Sequence, residues 1–192
     1  MVNVKVCFVG SSGVGKTCLI NRTVNNSYLD TPSSTVGASY MKKEVEVDGK
    51  QITLDLWDTA GQERYRALAP SFFRGSSVIV IVYSIIDATS FDDLRDWYEN
   101  IQTNCNPIPR IIVVGSKADL HETRLVPSQQ AENFAKSINV DYFEVSALSG
   151  AGIEELMLSI ATQLDTSKSE PETPSKIVVE EKPKKKKRFG CF

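Results

Sequence analysis

At 192 residues, with 41% hydrophobic and 24% charged residues, the chain has room for one domain with a sizeable core and a short appendage. No apolar run reaches the roughly 18 residues of a spanning helix, and strand-like sequence from Val2 to Val9 takes the place of a leader's apolar core, so neither a membrane span nor a secretory signal is expected. The net charge of −2 is unevenly spread: residues 165–192 carry eight Lys/Arg and five Asp/Glu, +3, which leaves 14 basic and 19 acidic residues, −5, in residues 1–164.

An acidic body argues against a nucleic-acid-binding surface on the domain. The four cysteines (Cys7, Cys18, Cys105, Cys191) show neither framework nor metal-ligand spacing, as expected of reduced thiols in the cytosol.

Residues 2–9 read as a buried strand, followed by a Gly-rich turn and a helical stretch from Lys16. Residues 26–37 are polar and without period. Ala38–Val47 and Gln51–Trp57 read as strands joined by Asp48-Gly49, a dipeptide that tolerates positive φ and predicts a hairpin. Val78–Tyr83 is a continuous apolar run, expected of a strand covered on both faces. Phe91, Leu94, Tyr98 and Ile101 then form one stripe at helical spacing, with Ser90 and Asp93 placed to form its capping box. A strand at Ile111–Val114 and a helical stripe of Ala131, Phe134, Ala135 and Ile138 follow. The short strand Tyr142–Val145 and a stripe of Ile153, Leu156, Met157, Ile160 and Leu164 complete the pattern. The alternation predicts an α/β fold: a six-stranded, mostly parallel sheet with one antiparallel hairpin strand and helices on both faces. Residues 1–164 are the expected domain. The stretch 165–192, rich in Ser, Thr, Pro, Glu and Lys, is expected to be a disordered tail.

Gly10-Ser-Ser-Gly-Val-Gly-Lys16-Thr17 fits G-x-x-x-x-G-K-[ST], and it follows a strand and opens a helix, as that motif requires. Its backbone N–H groups can point at phosphate oxygens, aided by the helix N-terminus. Lys16 is placed to reach the β- and γ-phosphates, and the Thr17 hydroxyl to reach Mg²⁺. Asp58, at the end of a strand, can hold that ion through water. Gly61 can bring its N–H close to a γ-phosphate, and Gln62 can orient an attacking water. Asp119 can accept two hydrogen bonds from guanine, a donor pair that adenine lacks.

With Trp57-Asp-Thr-Ala-Gly-Gln-Glu-Arg-Tyr65 the chain resembles the Ras superfamily of small GTPases, and specifically its Rab family. The resemblance implies a P-loop GTPase domain that cycles between GDP and GTP, hydrolyses GTP slowly and regulates vesicle or membrane trafficking. It places Gln62 as the catalytic residue and Thr17, Thr35 and Asp58 around Mg²⁺. For the nucleotide it implies Ser11, Ser12, Gly13, Val14, Gly15, Lys16, Thr17, Cys18, Tyr28, Thr35 and Gly61 on the phosphate side. On the base side it implies Ser116, Lys117, Asp119, Leu120, Ser146, Ala147 and Leu148. Thr35 lies in Ser33-Ser-Thr-Val-Gly37, the expected first switch, so that loss of the γ-phosphate releases two loops at once.

One position departs from the family. The family has Asn at 116, bonding the base and bracing the phosphate loop; Ser116 is expected to be too short to span that gap without water, and so to weaken affinity. Ser12 stands where Ras carries Gly and crowds the path of an arginine finger. Segments Ser34–Ala38 and Arg66–Pro70 are similar to early-endosomal members. Exchange factors, activating proteins and effectors are expected at residues 26–48 and 58–75, with a GDP-dissociation inhibitor or escort at the tail.

The tail ends in Lys182-Pro-Lys-Lys-Lys-Lys-Arg188 and Cys191. A solvated charge run and a nuclear-import signal are the plainer readings. The resemblance favours a lipidated Cys191 beside lysines drawn to an anionic membrane, on the cytoplasmic face of endosomal or vesicular membranes with a cytosolic pool. Cys191 is second from the end, where a C-a-a-X box needs the fourth. A nucleotide-binding scaffold that does not cycle and a P-loop kinase are the alternatives, the latter needing a lid and acceptor site for which no segment is spare.

Overall fold

The computed structural model describes residues 2–30, 35, 37–61 and 69–162. Gln62, Ser33, Ser34, Leu164, Cys191 and the basic run lie outside them.

Six strands form one sheet in the order β2-β3-β1-β4-β5-β6: β1 (Val2–Val9), β2 (Ala38–Val47), β3 (Lys50–Thr59), β4 (Val78–Ser84), β5 (Arg110–Ser116) and β6 (Asp141–Glu144). All pairs are parallel except β2 with β3, as expected from the hairpin. Asp48 (φ 51°) and Gly49 (φ 74°) both take positive φ, the requirement of the tight hairpin turn that matches strand twist. All seven residues of β4 are buried, whereas the edge strand β2 alternates between half-buried and exposed.

The period-two alternation sorts the strands' side chains into two cores. Val4, Val6, Phe8, Leu54, Val80, Val82 and Val114 face α1 (Lys16–Asn25) and α6 (Ile153–Thr162), meeting Leu19, Leu156 and Ile160. Cys7, Val9, Ile79, Ile81 and Val113 face the other way, meeting Phe73 of α2 (Ala69–Phe73), Trp97 and Ile101, and Ala131. Those helices are α4 (Leu94–Asn104) and α5 (Ser128–Ser137). The parallel strands end at one edge of the sheet, where ligands of open α/β sheets bind.

The expected single helix through Phe91 and Ile101 is instead two, α3 (Ala88–Asp92) and α4, with Asp93 between them. The cap is Asp87, not Ser90: its carboxylate accepts from Thr89 N at 3.1 Å and Ser90 N at 3.2 Å. The Ser90 hydroxyl turns inward, donating to Asp87 O at 2.7 Å and accepting from Ser84 N at 3.0 Å. It thereby satisfies a backbone donor at the end of β4, which the interior cannot leave unpaired.

Candidate functional site: a phosphate loop, an oxygen cluster and a base pocket

The chain leaves β1 at Gly10, where φ is +136° and a Cβ would stand 2.1 Å from Val82 O. Only glycine can make this turn beneath β4. The loop then closes around Lys16, which is 5% exposed and whose ammonium donates to Gly10 O at 2.8 Å and Ser11 O at 2.9 Å. Burial pushes its pKa down to about 8, opposed by the nearby Asp58 carboxylate. Gly61 presses on the same place: a Cβ there would lie 2.5 Å from Lys16 Nζ, 2.5 Å from Ser11 O and 2.6 Å from Gly10 O. Gly61 therefore approaches the phosphate loop through bare backbone.

Thr17, Thr35 and Asp58 converge from α1, the first switch and β3. Thr17 Oγ1 donates to Asp58 Oδ2 at 2.7 Å and Thr35 Oγ1 to the same oxygen at 3.0 Å, with the two hydroxyls 3.0 Å apart. Asp58 is 2% exposed, and its Oδ1 is buried with no partner among the described atoms. Burial raises its pKa, and the two hydroxyls and Lys16 act against that rise. Hard oxygen donors around one carboxylate with an unsatisfied oxygen fit Mg²⁺, which keeps water and phosphate ligands and takes one or two carboxylates from a protein. The described residues hold no cluster of three or more His, Cys, Asp or Glu, so phosphate oxygens would have to complete the shell.

A cavity beyond the loop is lined by Gly15, Cys18, Tyr28, Ser116, Lys117, Asp119, Leu120, Ala147 and Leu148, all named from sequence. Leu19 and Val145 also line it; as apolar residues of core elements they gave no sequence signal. Lys117 takes a left-handed backbone (φ 62°) as the chain leaves β5. Ser146 Oγ donates to Asp119 Oδ1 at 2.5 Å, tying the 146–148 turn to that carboxylate. A carboxylate has about four lone-pair sites, so that bond leaves capacity for a donor pair.

Ser116 corrects one expectation. Its hydroxyl reaches Val14 O of the phosphate loop directly, at 2.5 Å, and Tyr83 O at 2.8 Å, with the residue 4% exposed. No water is needed, because the loop's Val14 carbonyl comes down to the end of β5. A hydroxyl carries one proton, so it serves one carbonyl at a time and retains no donor for a base. Ser11 Oγ, at the other end of the loop, donates to Asp93 Oδ2 at 2.5 Å, a partner that no motif indicated.

The Ras family model matches residues 5–166. "GTP-binding protein YPTM1" of Zea mays is 37% identical over 179 residues, spanning 93% of this chain and 84% of its own. "Ras-related protein Rab-1D" of Dictyostelium discoideum is 37% identical over 187 residues (97% and 92%), and "Ras-related protein Rab-13" of Rattus norvegicus is 37% identical over 160 (83% and 79%). With its phosphate loop, oxygen cluster and base pocket on the strand ends that this fold prescribes, the chain belongs to the Ras family of small GTPases, in its Rab branch.

Proposed function

We infer that the protein is a GTP-binding switch that hydrolyses GTP to GDP and phosphate and regulates vesicle trafficking. The observation that carries this is the meeting of Thr35 with Thr17 and Asp58, since it joins the first switch to the phosphate-and-metal site by two hydrogen bonds. Lys16 and the loop N–H groups hold the β- and γ-phosphates. Thr17, Thr35 and Asp58 hold Mg²⁺, which when bound neutralises charge on the phosphate oxygens. Asp119 selects guanine, with Lys117 and Tyr28 flanking the base and Ala147 N–H directed at its O6. Gln62 orients the attacking water beside Gly61.

Intrinsic turnover is slow, and Ser12 narrows the approach of a partner's arginine. Effectors, exchange factors and activating proteins engage residues 26–48 and 58–75. The basic tail and a lipidated Cys191 attach the protein to the cytoplasmic face of endosomal or vesicular membranes, and a dissociation inhibitor or escort binds the tail in the cytosolic pool. A nucleotide-displacement assay tests the base assignment. GTP and GDP should displace a fluorescent GDP far better than ATP, and Asp119→Asn should shift preference to xanthine nucleotides. Equal competition by ATP and GTP would overturn the reading.

A further inference from the structure

The phosphate-binding pattern accounts for Lys16, Thr17 and the loop glycines and gives the Ser11 side chain no task. Its hydroxyl bonds the Asp93 carboxylate at 2.5 Å across 82 residues of sequence. Asp93 is held by backbone on both sides: its N–H reaches Thr89 O at 3.1 Å and its carbonyl accepts from Trp97 N at 3.1 Å. Trp97, one turn into α4, is 3% exposed in the core that also holds Phe73 of α2. The bond thus joins the phosphate loop to the junction of α3 and α4, and through the core around Trp97 to α2.

What the bond steadies is the surface against which Gly61 packs. Ser11 O accepts from Lys16 Nζ and is one of the two carbonyls against which Gly61 packs. Beyond Ser11, Ser12 and Gly13 are exposed, and a Cβ on Gly13 would have nothing within 4 Å. The next side-chain brace is that of Ser116 on Val14 O. A hydroxyl bound to a carboxylate makes a charge-assisted bond, roughly twice as strong as a neutral one.

We propose that Asp93 is a positioning residue for GTP hydrolysis. Acting through Ser11, it fixes the carbonyl on which Lys16 and Gly61 close, and so couples the α2–α4 face to the reaction. A partner pressing on the start of α4 therefore alters turnover without touching the nucleotide. The base pocket is held independently from β5 and the 146–148 turn, so breaking the tether slows chemistry more than it speeds nucleotide release.

The test is a double-mutant cycle on the full chain with Ser11→Ala, Asp93→Ala and the pair. Single-turnover GTP hydrolysis and dissociation of fluorescent GDP are measured on each. Hydrolysis by the wild type tests the GTPase reading itself, on which the proposal rests; the cycle tests the tether. Each single variant should slow hydrolysis about 5-fold, the double should be no slower than the worse single, and GDP dissociation should stay within about 2-fold. Exchanging the partners, Ser11→Asp with Asp93→Ser, rebuilds a hydroxyl–carboxylate pair and should recover most of the rate. Multiplicative losses in the double, unchanged hydrolysis in both singles, or dissociation accelerated by the factor that hydrolysis loses would each overturn the proposal. Should Asp93→Ala fail to fold, the exchanged pair against Ser11→Asp alone carries the same comparison: no recovery refutes the tether.

Discussion

Replacing Ser116 with Ala removes a side-chain donor that joins β5 to the phosphate loop. The hydroxyl lies 2.5 Å from Val14 O and 2.8 Å from Tyr83 O, but it has a single proton, so one hydrogen bond is lost and not two. At 4% exposure the site admits little water to replace it. Such a loss costs about 1–2 kcal/mol. Tyr83 sits in the middle of the sheet, paired to Gly115, whereas Val14 belongs to the loop that wraps the phosphates, so the loop bears the change. Expressed wholly in the nucleotide-bound state, it accelerates GDP dissociation roughly 5- to 30-fold. The assay is the release of fluorescent GDP chased by excess GDP with Mg²⁺ present. Thr23→Ala is the control: it also removes a buried hydroxyl, one that donates to Leu19 O at 2.9 Å within α1, away from the loop. The control should release GDP within about 2-fold of wild type, while Ser116→Asn, which adds a side chain able to reach both loop and base, should release it more slowly. An unchanged rate in Ser116→Ala, or the same acceleration in Thr23→Ala, would refute the brace.

Gly61→Ala places a Cβ 2.5 Å from a backbone carbonyl that cannot swing away, so single-turnover hydrolysis should fall at least about 10-fold with GDP affinity retained; wild-type turnover would mean that the approach of Gly61 to the phosphate loop plays no part in the reaction. Arg124 grips Glu144 through two bonds of 2.8 and 2.7 Å and holds its carboxyl below the ordinary 4.5. A depressed carboxylate contributes stability that is present above its unfolded pKa and is lost as the pH falls through its folded value. Arg124→Gln should therefore lower thermal stability by about 1–2 kcal/mol at pH 7, with the gap narrowing below pH 4, and a gap independent of pH would refute the pairing. Cys191→Ser should move the protein from membranes to the soluble fraction, because a polybasic run and a single lipid chain each bind weakly alone; persistence on membranes after fractionation would remove the lipid from the mechanism.

What the sequence made legible was local. The phosphate loop, the Asp48-Gly49 turn and the strand β1 are contiguous stretches whose chemistry and period determine their conformation before any tertiary contact forms. The cap of α3 was not legible, because Asp87, Ser90 and Asp93 all have cap-forming side chains, and the choice fell to Ser90's bond with Ser84 N. Contacts set by sheet register were hidden as well. Ser116 and Val14 are 102 residues apart, and their meeting depends on the register that sets the end of β5 beside the end of β4, Ser116 opposite Ser84; Ser146 and Asp119 meet across 27 residues. Most residues lining the cavity beside Asp119 were legible because a motif specifies side chains, whereas the reach of Ser116 is not set by its length alone. The distance it must span is a property of the loop, whose Val14 carbonyl lies 2.5 Å from the hydroxyl.

The division of labour at the end of β5 follows from that geometry. Where one Asn in the family pattern both braces the loop and touches the base, Ser116 spends its single proton on backbone carbonyls. In the proposed function base choice then falls to Asp119, three residues on, whose carboxylate bonds the Ser146 hydroxyl. Retention and specificity become separable properties of neighbouring residues. Loosening the brace changes how long any nucleotide stays, by the same factor for guanine and xanthine, because the lost bond contacts neither. Changing the carboxylate should alter which base is held and leave the loop closed, because among the described residues no bond of Asp119 reaches it. An enlarged side chain at 116 would merge the two roles again, which is why Ser116→Asn is the substitution that should raise both affinity and its dependence on the base.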